Sequence, residues 1–451
     1  MNHFLFDEFD KITPTAWKQK IQVDLKGADY NESLLWKTDD GITVKPFYTK
    51  EDRKNHCVKL PKKGFNICQS IFIDDEKIAN FLAIDSIKRG ANAIFFTTKK
   101  KFDYKIVLKG INVSSIILYF KFQFLSADFV IELSNTINSK NCYFNIDIIG
   151  NLAETGNWFI NLKEDYHQLE KITKNTLNPI EVDASLYQNA GANNIQQLAY
   201  ALAHANEYLY YFGKEIASKI HFTFSVGSNY FFEIAKLRTF RILWHTLLAE
   251  YNVKKTETHL FVQPSLRNKT IYDYNVNMLR TTSECMSAIL GGANTIANIS
   301  YDAVYHKSNE FGERIARNQL LVLQQESYLK EAQYVAEGSY YIDSITHQLA
   351  EKSLNIFKHI EKGGGFLKQL KEGVIQRKIV QSAKNESDKF ENKTITLLGV
   401  NKLEDFNNKM KNDIEIYCFS KKKTNKTLIF PIIKKRLAES IEKKRLEKEY
   451  E

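Results

Sequence analysis

Cysteine is scarce and unpatterned in this chain. Cys57, Cys68, Cys142, Cys285 and Cys418 include no Cys-x-x-Cys pair and make an odd total, which argues against a disulfide framework or a zinc knuckle and for a reducing compartment. No apolar run approaches the roughly 20 residues that a membrane-spanning helix needs. The first ten residues are apolar but broken by acids, so they lack the charged start and continuous apolar stretch of a signal peptide. A cytoplasmic protein is expected. A basic face is also missing: the formal charge of +10 comes from 63 Lys and Arg against 53 Asp and Glu, and much of the excess sits near the end, in Lys421 to Lys423 and Lys434 to Arg436. A local basic tail is weaker evidence for nucleic acid than a charged face, and is expected to be a solvated face or a subunit contact.

What the chain does have is bulk and pattern. Its 451 residues, 43% hydrophobic, can bury a large core, as one big barrel or two to three smaller domains. The clearest stretch runs from Asn229 to Trp244. Phe231, Ile234, Ala235, Leu237, Phe240, Leu243 and Trp244 recur at three- and four-residue spacing, which predicts one apolar helix face with Lys236, Arg238 and Arg241 largely outside it. Ahead of it, Ile220 to Val226 alternates like a strand, Gly227 and Ser228 turn the chain, and Asn229 is positioned to cap the helix.

The same alternation predicts strands near 66–73, 93–97, 115–120, 142–149, 180–185, 220–226, 260–265 and 295–300. Between them the periodicity predicts helices at Asp75 to Arg89, Asn194 to Phe212, from Asn229, at Tyr272 to Leu290 and at Phe311 to Ser327. Eight strands alternating with helices are the footprint of a (β/α)8 barrel of the α/β class. In Gly90-Ala-Asn92 and Gly291-Gly-Ala-Asn294 glycine is expected to end a helix in a left-handed conformation. Exposed Phe4, Phe6, Phe9, Trp17 and Trp36 ahead of the barrel suggest an arm that needs a surface to lie on, opened by a short helix from Thr13-Pro14. The organisation expected is an N-terminal arm (1–60), a barrel (61–330) and a helical C-terminal extension with a basic tail (331–451), whose last ten residues fray into solvent.

In such barrels reactions occur where strands end, at the C-terminal face. The segments after the fifth to eighth strands, Ala184 to Gly191, Ser225 to Asn229, Gln263 to Ser265 and Asn298 to Asp302, offer hydroxyls and amides, with Asp302 as the one strong titrating group. No base stands beside an obvious nucleophile. His259 precedes its strand and is expected to face the bottom. His204, on a helix four residues from Tyr200 and Tyr208, reads as a packed, hydrogen-bonded histidine, and His347 and His359 lack acid neighbours at metal-ligand spacing. No catalytic, cofactor-binding or metal-binding residue is assigned to this chain.

Several stretches match a known family in wording as well as pattern. Asn229-Tyr-Phe-Phe-Glu-Ile-Ala-Lys-Leu-Arg-x-x-Arg-x-Leu-Trp244 resembles a segment shared by the methylmalonyl-CoA mutase family. So do Trp17, Asp24 to Gly27, Leu35 to Thr38, Gly41-Ile42 and Lys45 to Tyr48, in the order and spacing of the family's arm, along with the Gln324-Gln-Glu326 element, Ile395 to Asn401 and Lys435 to Glu439. The resemblance implies a barrel and an arm that wraps a partner subunit.

It also marks departures. Catalytic chains of the family carry Gly-Tyr-His-Met-x-Glu-Ala-Gly after the fifth strand; anchored on Ala190-Gly191, the His position is Leu186 and the Tyr position is Ser185. Leucine can neither donate a hydrogen bond nor hold a proton. Their acyl-CoA segment Thr-x-Arg-Gln-Tyr-Ala-Gly-Phe has no counterpart, and an Arg that holds the substrate carboxylate falls on Lys219, which keeps charge without the bidentate fork. The chain ends at Glu451 before any cobalamin-binding domain with its Asp-x-His-x-x-Gly motif; Asp165-Tyr-His167-Gln-Leu-Glu170 fits only the first half and reads as a chance match on a helix.

The resemblance therefore implies the small, non-catalytic subunit of a heterodimeric enzyme. Its large subunit would bind adenosylcobalamin and interconvert methylmalonyl-CoA and succinyl-CoA by a radical rearrangement. The alternatives are a catalytic acyl-CoA mutase barrel working with a separate cobalamin-binding chain, and an unrelated binding or scaffold barrel.

Overall fold

A computed structural model describes residues 5–6, 8–53, 58–61, 64–254, 256–331, 334–420 and 426–451; Phe4, Cys57 and Lys421 to Lys423 lie outside them. Eight parallel strands form the centre: β1 (Asn66–Ile73), β2 (Ala93–Thr98), β3 (Ile117–Phe122), β4 (Cys142–Phe144), β5 (Ile180–Asp183), β6 (Ile220–Val226), β7 (Leu260–Pro264) and β8 (Thr295–Ala297). They pair in the order β4-β3-β2-β1-β8-β7-β6-β5. The ring closes between its two ends through a parallel bridge from Ile146 to Ile180, so the expected (β/α)8 barrel is present.

Each strand alternates between two environments because its side chains point to opposite faces. In β3, Leu118 and Phe120 pack outward under the helices, while Ile117, Tyr119 and Lys121 face the lumen. The outer shell includes α1 (Pro14–Asp24) in the arm, then α2 (Glu76–Lys88), α3 (Ala127–Ile137), α4 (Ile148–Thr155), α5 (Leu162–Asn175), α6 (Asn194–Phe212), α7 (Tyr230–Glu250), α8 (Val276–Leu290) and α9 (Glu310–Leu321). After the barrel come α10 (Tyr340–Lys362), α11 (Phe366–Lys371), α12 (Val374–Glu391) and α13 (Glu439–Tyr450).

Helix α7 differs from its sequence reading in one respect. Its apolar face packs as expected, with Phe240 and Trp244 within 5.0 Å of the Phe222 ring. Lys236, Arg238 and Arg241, however, are buried too, and Phe231 is half exposed. The reason is a second layer: α10 packs across the outside of α7, and Thr239 Oγ1 donates to Thr346 O at 3.1 Å. Arg241 then finds the carbonyls of Thr258 and Gly292, and Arg238 faces Glu337. Asn229 precedes the helix, but its side chain makes no capping hydrogen bond.

Several boundaries move. The apolar run 142–149 splits, because Asp147 accepts from Gly150 N at 2.7 Å and starts α4 at Ile148. The last strand ends at Ala297, and α8 begins at Val276. Gly90 takes the left-handed conformation expected of it (φ +100°), and at the end of α8 the second glycine of the pair, Gly292, does so (φ +86°).

The arm divides into two parts. Helix α1 is started by Thr13, whose hydroxyl accepts from Ala16 N, and buries no residue. From Tyr30 onward the chain lies on its own barrel: Tyr30 and Ile42 are buried, Asp40 accepts from Asn194 N at 2.9 Å, and Trp36 meets Phe232 edge to face. After α12 the chain runs without a further helix among the described residues until α13.

At the C-terminus, Arg436 departs from the expected solvated basic tail while Lys435 stays exposed, and the expected fraying is overturned. Arg436 is buried, pairing with Glu442 and donating to Lys269 O. The last residues do not fray: Glu442 accepts from Ile271 N, Glu449 accepts from Tyr272 OH at 2.7 Å, and Arg445 lies over the Tyr272 ring. The tail is docked because its charges meet polar groups of the β7–α8 loop, more than 160 positions earlier in the chain.

Candidate functional site at the barrel mouth

Reading the lumen from the bottom upward gives two layers of different chemistry. The lower layer is aromatic. Phe95, Tyr119, Tyr143 and Phe261 fill it, with ring centroids 4.9 to 6.1 Å apart where they touch. Their few polar atoms are satisfied internally: Tyr119 OH donates to Thr295 Oγ1 at 2.8 Å and lies 2.7 Å from His259 Nε2. Burial pushes the His259 imidazole well below its usual range, so it is neutral at physiological pH. His259 thus sits at the bottom, as its place before β7 predicts.

The upper layer is ionic. Lys121, from the lumen face of β3, reaches Asp183 Oδ2 at 2.7 Å and Glu181 Oε2 at 3.4 Å. Glu181 also accepts from Asn145 Nδ2 and Thr223 Oγ1, and Asp183 from Ser185 Oγ. Burial would raise both carboxyls. At Asp183 it is outweighed by Lys121 and Lys434, which hold the group down at about 2, whereas at Glu181 burial prevails and the pKa is raised. Between the layers, His221 is 1% exposed with neither ring nitrogen bonded, and burial followed by the charge of Lys121 lowers it to about 3.

Above these layers the chain crosses its own mouth. The segment 428–437 hydrogen-bonds to Gly156 O and Ala153 O at α4, to Asn189 O beyond β5 and to Arg267 O beyond β7. It carries Lys434 to Glu154, at 2.8 Å. Beside this strap a crevice of about 560 Å³ opens between the ends of β5 to β7 and α12. Its floor is tied down by Lys236, fully buried, which contacts Glu233 at 2.5 Å, Gln197 Oε1 and Ser225 O at 2.8 Å.

The residues singled out in the sequence are dispersed. Leu186 and Ser185 lie in a short helical turn after β5, both buried, with Leu186 in the core. Lys219 is at the opposite end, immediately before β6, where its ammonium caps the C-terminus of α5 through Thr173 O and Thr176 O. It cannot face a ligand at the mouth. Asp302 is buried and accepts from Asn309 Nδ2 and faces His306 Nδ1 at 3.2 Å, which orders the β8–α9 loop.

His204 bonds to Tyr187 OH and Asp147 at 2.9 Å each, rather than to the tyrosines on its own helix. His347, contrary to the expectation that it lacks an acid neighbour at such spacing, pairs with Glu351 one helical turn on, and His359 Nδ1 lies 2.6 Å from Asn355 O. Asp165 accepts from Phe159 N and Ile160 N at the start of α5 while His167 points outward. Gln324 donates to Phe65 O from a π-helical turn at Val322–Glu326. Among the described residues, no group of three or more His, Cys, Asp or Glu could hold a metal ion, and no helix is long and apolar enough to cross a membrane.

The charged lumen was not anticipated. Its signal was present: Lys121 interrupts Ile-Leu-Tyr-Phe-Lys-Phe, and Glu181 and Asp183 alternate with Ile180 and Val182. Charges at period-two positions in apolar strands mark the inner face.

Comparison with known proteins agrees with this architecture. The family profile described as methylmalonyl-CoA mutase matches residues 112–447. A protein of Porphyromonas gingivalis named methylmalonyl-CoA mutase small subunit is 31% identical over 89% of this chain and 71% of its own length. The methylmalonyl-CoA mutase of Cereibacter sphaeroides is 27% identical over 86% of this chain and 64% of its own length. The large subunit from Propionibacterium freudenreichii is 31% identical over 50% of this chain, which spans about a third of it, 32%. With the profile covering most of the chain, the family is shown: this chain belongs to the methylmalonyl-CoA mutase family.

Proposed function

We propose that this chain is the small, non-catalytic subunit of a cytoplasmic methylmalonyl-CoA mutase. It would pair with a large subunit that binds adenosylcobalamin and interconverts methylmalonyl-CoA and succinyl-CoA. The observation that carries this reading is the filled lumen. Where a substrate would have to enter, aromatic rings occupy the lower half, and the Lys121, Asp183 and Glu181 ion cluster occupies the upper half.

The groups that remain have other occupations. Leu186 offers no proton at the position where the resemblance expects a histidine, and Ser185 is committed to Asp183. Nor do the histidines of the C-terminal face fit a cobalt ligand: His204 is engaged by Tyr187 and Asp147, and His306 faces Asp302. The cofactor, which supplies the radical chemistry when bound, is accordingly assigned to the partner, and no step is routed through it here. What this chain's residues do is hold a rigid barrel and present a surface. Helix α1, with no buried residue and with Trp17 and Val23 exposed, supplies apolar area for a partner to cover.

The decisive experiment measures mutase activity with adenosylcobalamin for this chain, for its large-chain partner and for the two co-purified. Activity that requires the large chain, with the pair eluting as one complex, is the expected result. Turnover by this chain supplied only with a separate cobalamin-binding domain would instead establish it as a catalytic barrel. Failure to form any complex would leave the scaffold reading.

A further inference from the structure

The crevice beside the strap takes no part in the function proposed above, and its chemistry points to a ligand of its own. We propose that it binds a small, neutral, polyhydroxylated molecule of about disaccharide size. The argument begins with charge. Three pairs account for most of the ionised groups lining the crevice: Glu233 with Lys236, Arg267 with Glu386 at 2.5 Å, and Asp39 with Lys389. Asp40 is held by two hydrogen bonds from Asn194. Among the described residues lining the crevice, Asp40 and the exposed Lys378 at the edge stand outside such a pair. A charged ligand that engaged Glu233, Arg267 or Asp39 would have to break one of these pairs, whereas a neutral one would not.

The walls supply what a neutral polar ligand needs. On α12, Gln381, Ser382 and Asn385 recur at helical spacing and face the crevice, and none of the three side chains makes a hydrogen bond. Opposite them, Ser228 and Asn229 open the first turn of α7 with side chains likewise unbonded. The donors and acceptors of both walls line the same crevice. Below, Gln188 has its carbonyl turned to Lys236 and one amide hydrogen to Glu233 at 3.2 Å, which leaves its second amide hydrogen free. Side-chain amides and hydroxyls, each able to donate and accept, match hydroxyl groups that do the same. Trp36 stands at the rim, half exposed and braced by Phe232, and offers a flat apolar face to the C–H side of a ring. The volume of about 560 Å³ lies within the roughly 300–1,000 Å³ of small-molecule pockets.

The test uses the full-length chain, alone and in complex with its large subunit, and saturation-transfer NMR with glycerol, glucose, sucrose and maltose as probes. Glucose 6-phosphate serves as the charged control. Saturation of a neutral disaccharide, at least tenfold weaker binding by a Gln381→Leu/Asn385→Leu double variant of unchanged Tm, and no response from the charged control are expected. Trp36→Phe should weaken binding less than the double variant. Absence of transfer to every neutral probe would overturn the proposal. So would binding that survives the double variant, or binding of the phosphorylated sugar alone. A crystal structure soaked with maltose that shows only ordered water in the crevice would overturn it too. None of these outcomes bears on whether the chain supports a catalytic partner, so the two readings fail separately.

Discussion

The lower and upper halves of the lumen are closed by opposite means. The lower half is sealed by shape: Phe261, 1% exposed, lies 4.9 Å from Tyr119 and 5.1 Å from Phe95 between ring centroids, and its contribution is apolar area and packing. The upper half is sealed by charge: Lys121 neutralises two carboxylates on β5 that burial would otherwise make costly. The difference teaches that a barrel can lose its internal space without a uniform apolar core, provided each buried charge has a partner. It also separates the two halves experimentally, since the lower half should respond to volume and the upper to pH.

The largest effect is expected below. Phe261→Ala removes a fully buried ring and should cost about 3–5 kcal/mol of unfolding free energy, measured as a lower urea midpoint. A loss under 1 kcal/mol would mean that the layer is not close-packed. Next, Lys121→Met strips the counter-charge from Glu181 and Asp183. The cost should be about 2 kcal/mol, below that of breaking a fully buried pair because a third of the lysine side chain reaches solvent. If the variant is as stable as the parent, the upper layer is not held by its ions.

The pH prediction follows from Asp183. Its folded pKa, about 2, lies below the ordinary aspartate value near 3.9. The stabilisation is therefore fully present above about pH 4 and is lost as the pH falls toward 2. Lys121→Met should flatten that part of the stability profile, while Phe261→Ala should shift the whole profile without changing its slope. The smallest effect is expected at the boundary, where His221→Phe removes two unbonded ring nitrogens at similar volume. Stability should change by less than about 1 kcal/mol in either direction. A loss above about 2 kcal/mol would show that the nitrogens hold ordered water.

The sequence was most readable where local pattern and burial agree. Strand β6 begins and ends where its alternation does, and α6 spans the predicted Asn194 to Phe212. Reading failed where a distant segment changes the environment. Lys236 and Arg241 look like the outer face of an amphipathic helix, and only the later α10 and the neighbouring loops bury them. The Ile146 to Ile149 run suits a strand or a buried helix equally, and a single Asp147 cap decides it. The ionic lumen was legible only as charges out of place in β3 and β5, because the pairing of Lys121 with Asp183 depends on barrel closure across 62 positions. The mouth reads as chemically poor from the residues after β5, Leu186 among them, but the strap above it left no local signal.

The strap also fixes the order in which the molecule can be finished. Its carbonyl partners at Ala153, Gly156, Asn189 and Arg267 are all made well before residues 428–437 leave the ribosome. During synthesis the barrel's upper rim must therefore wait, open and hydrated, for tens of seconds at about 5–20 residues per second. A growing chain in that interval exposes the charged layer to water before its cover arrives.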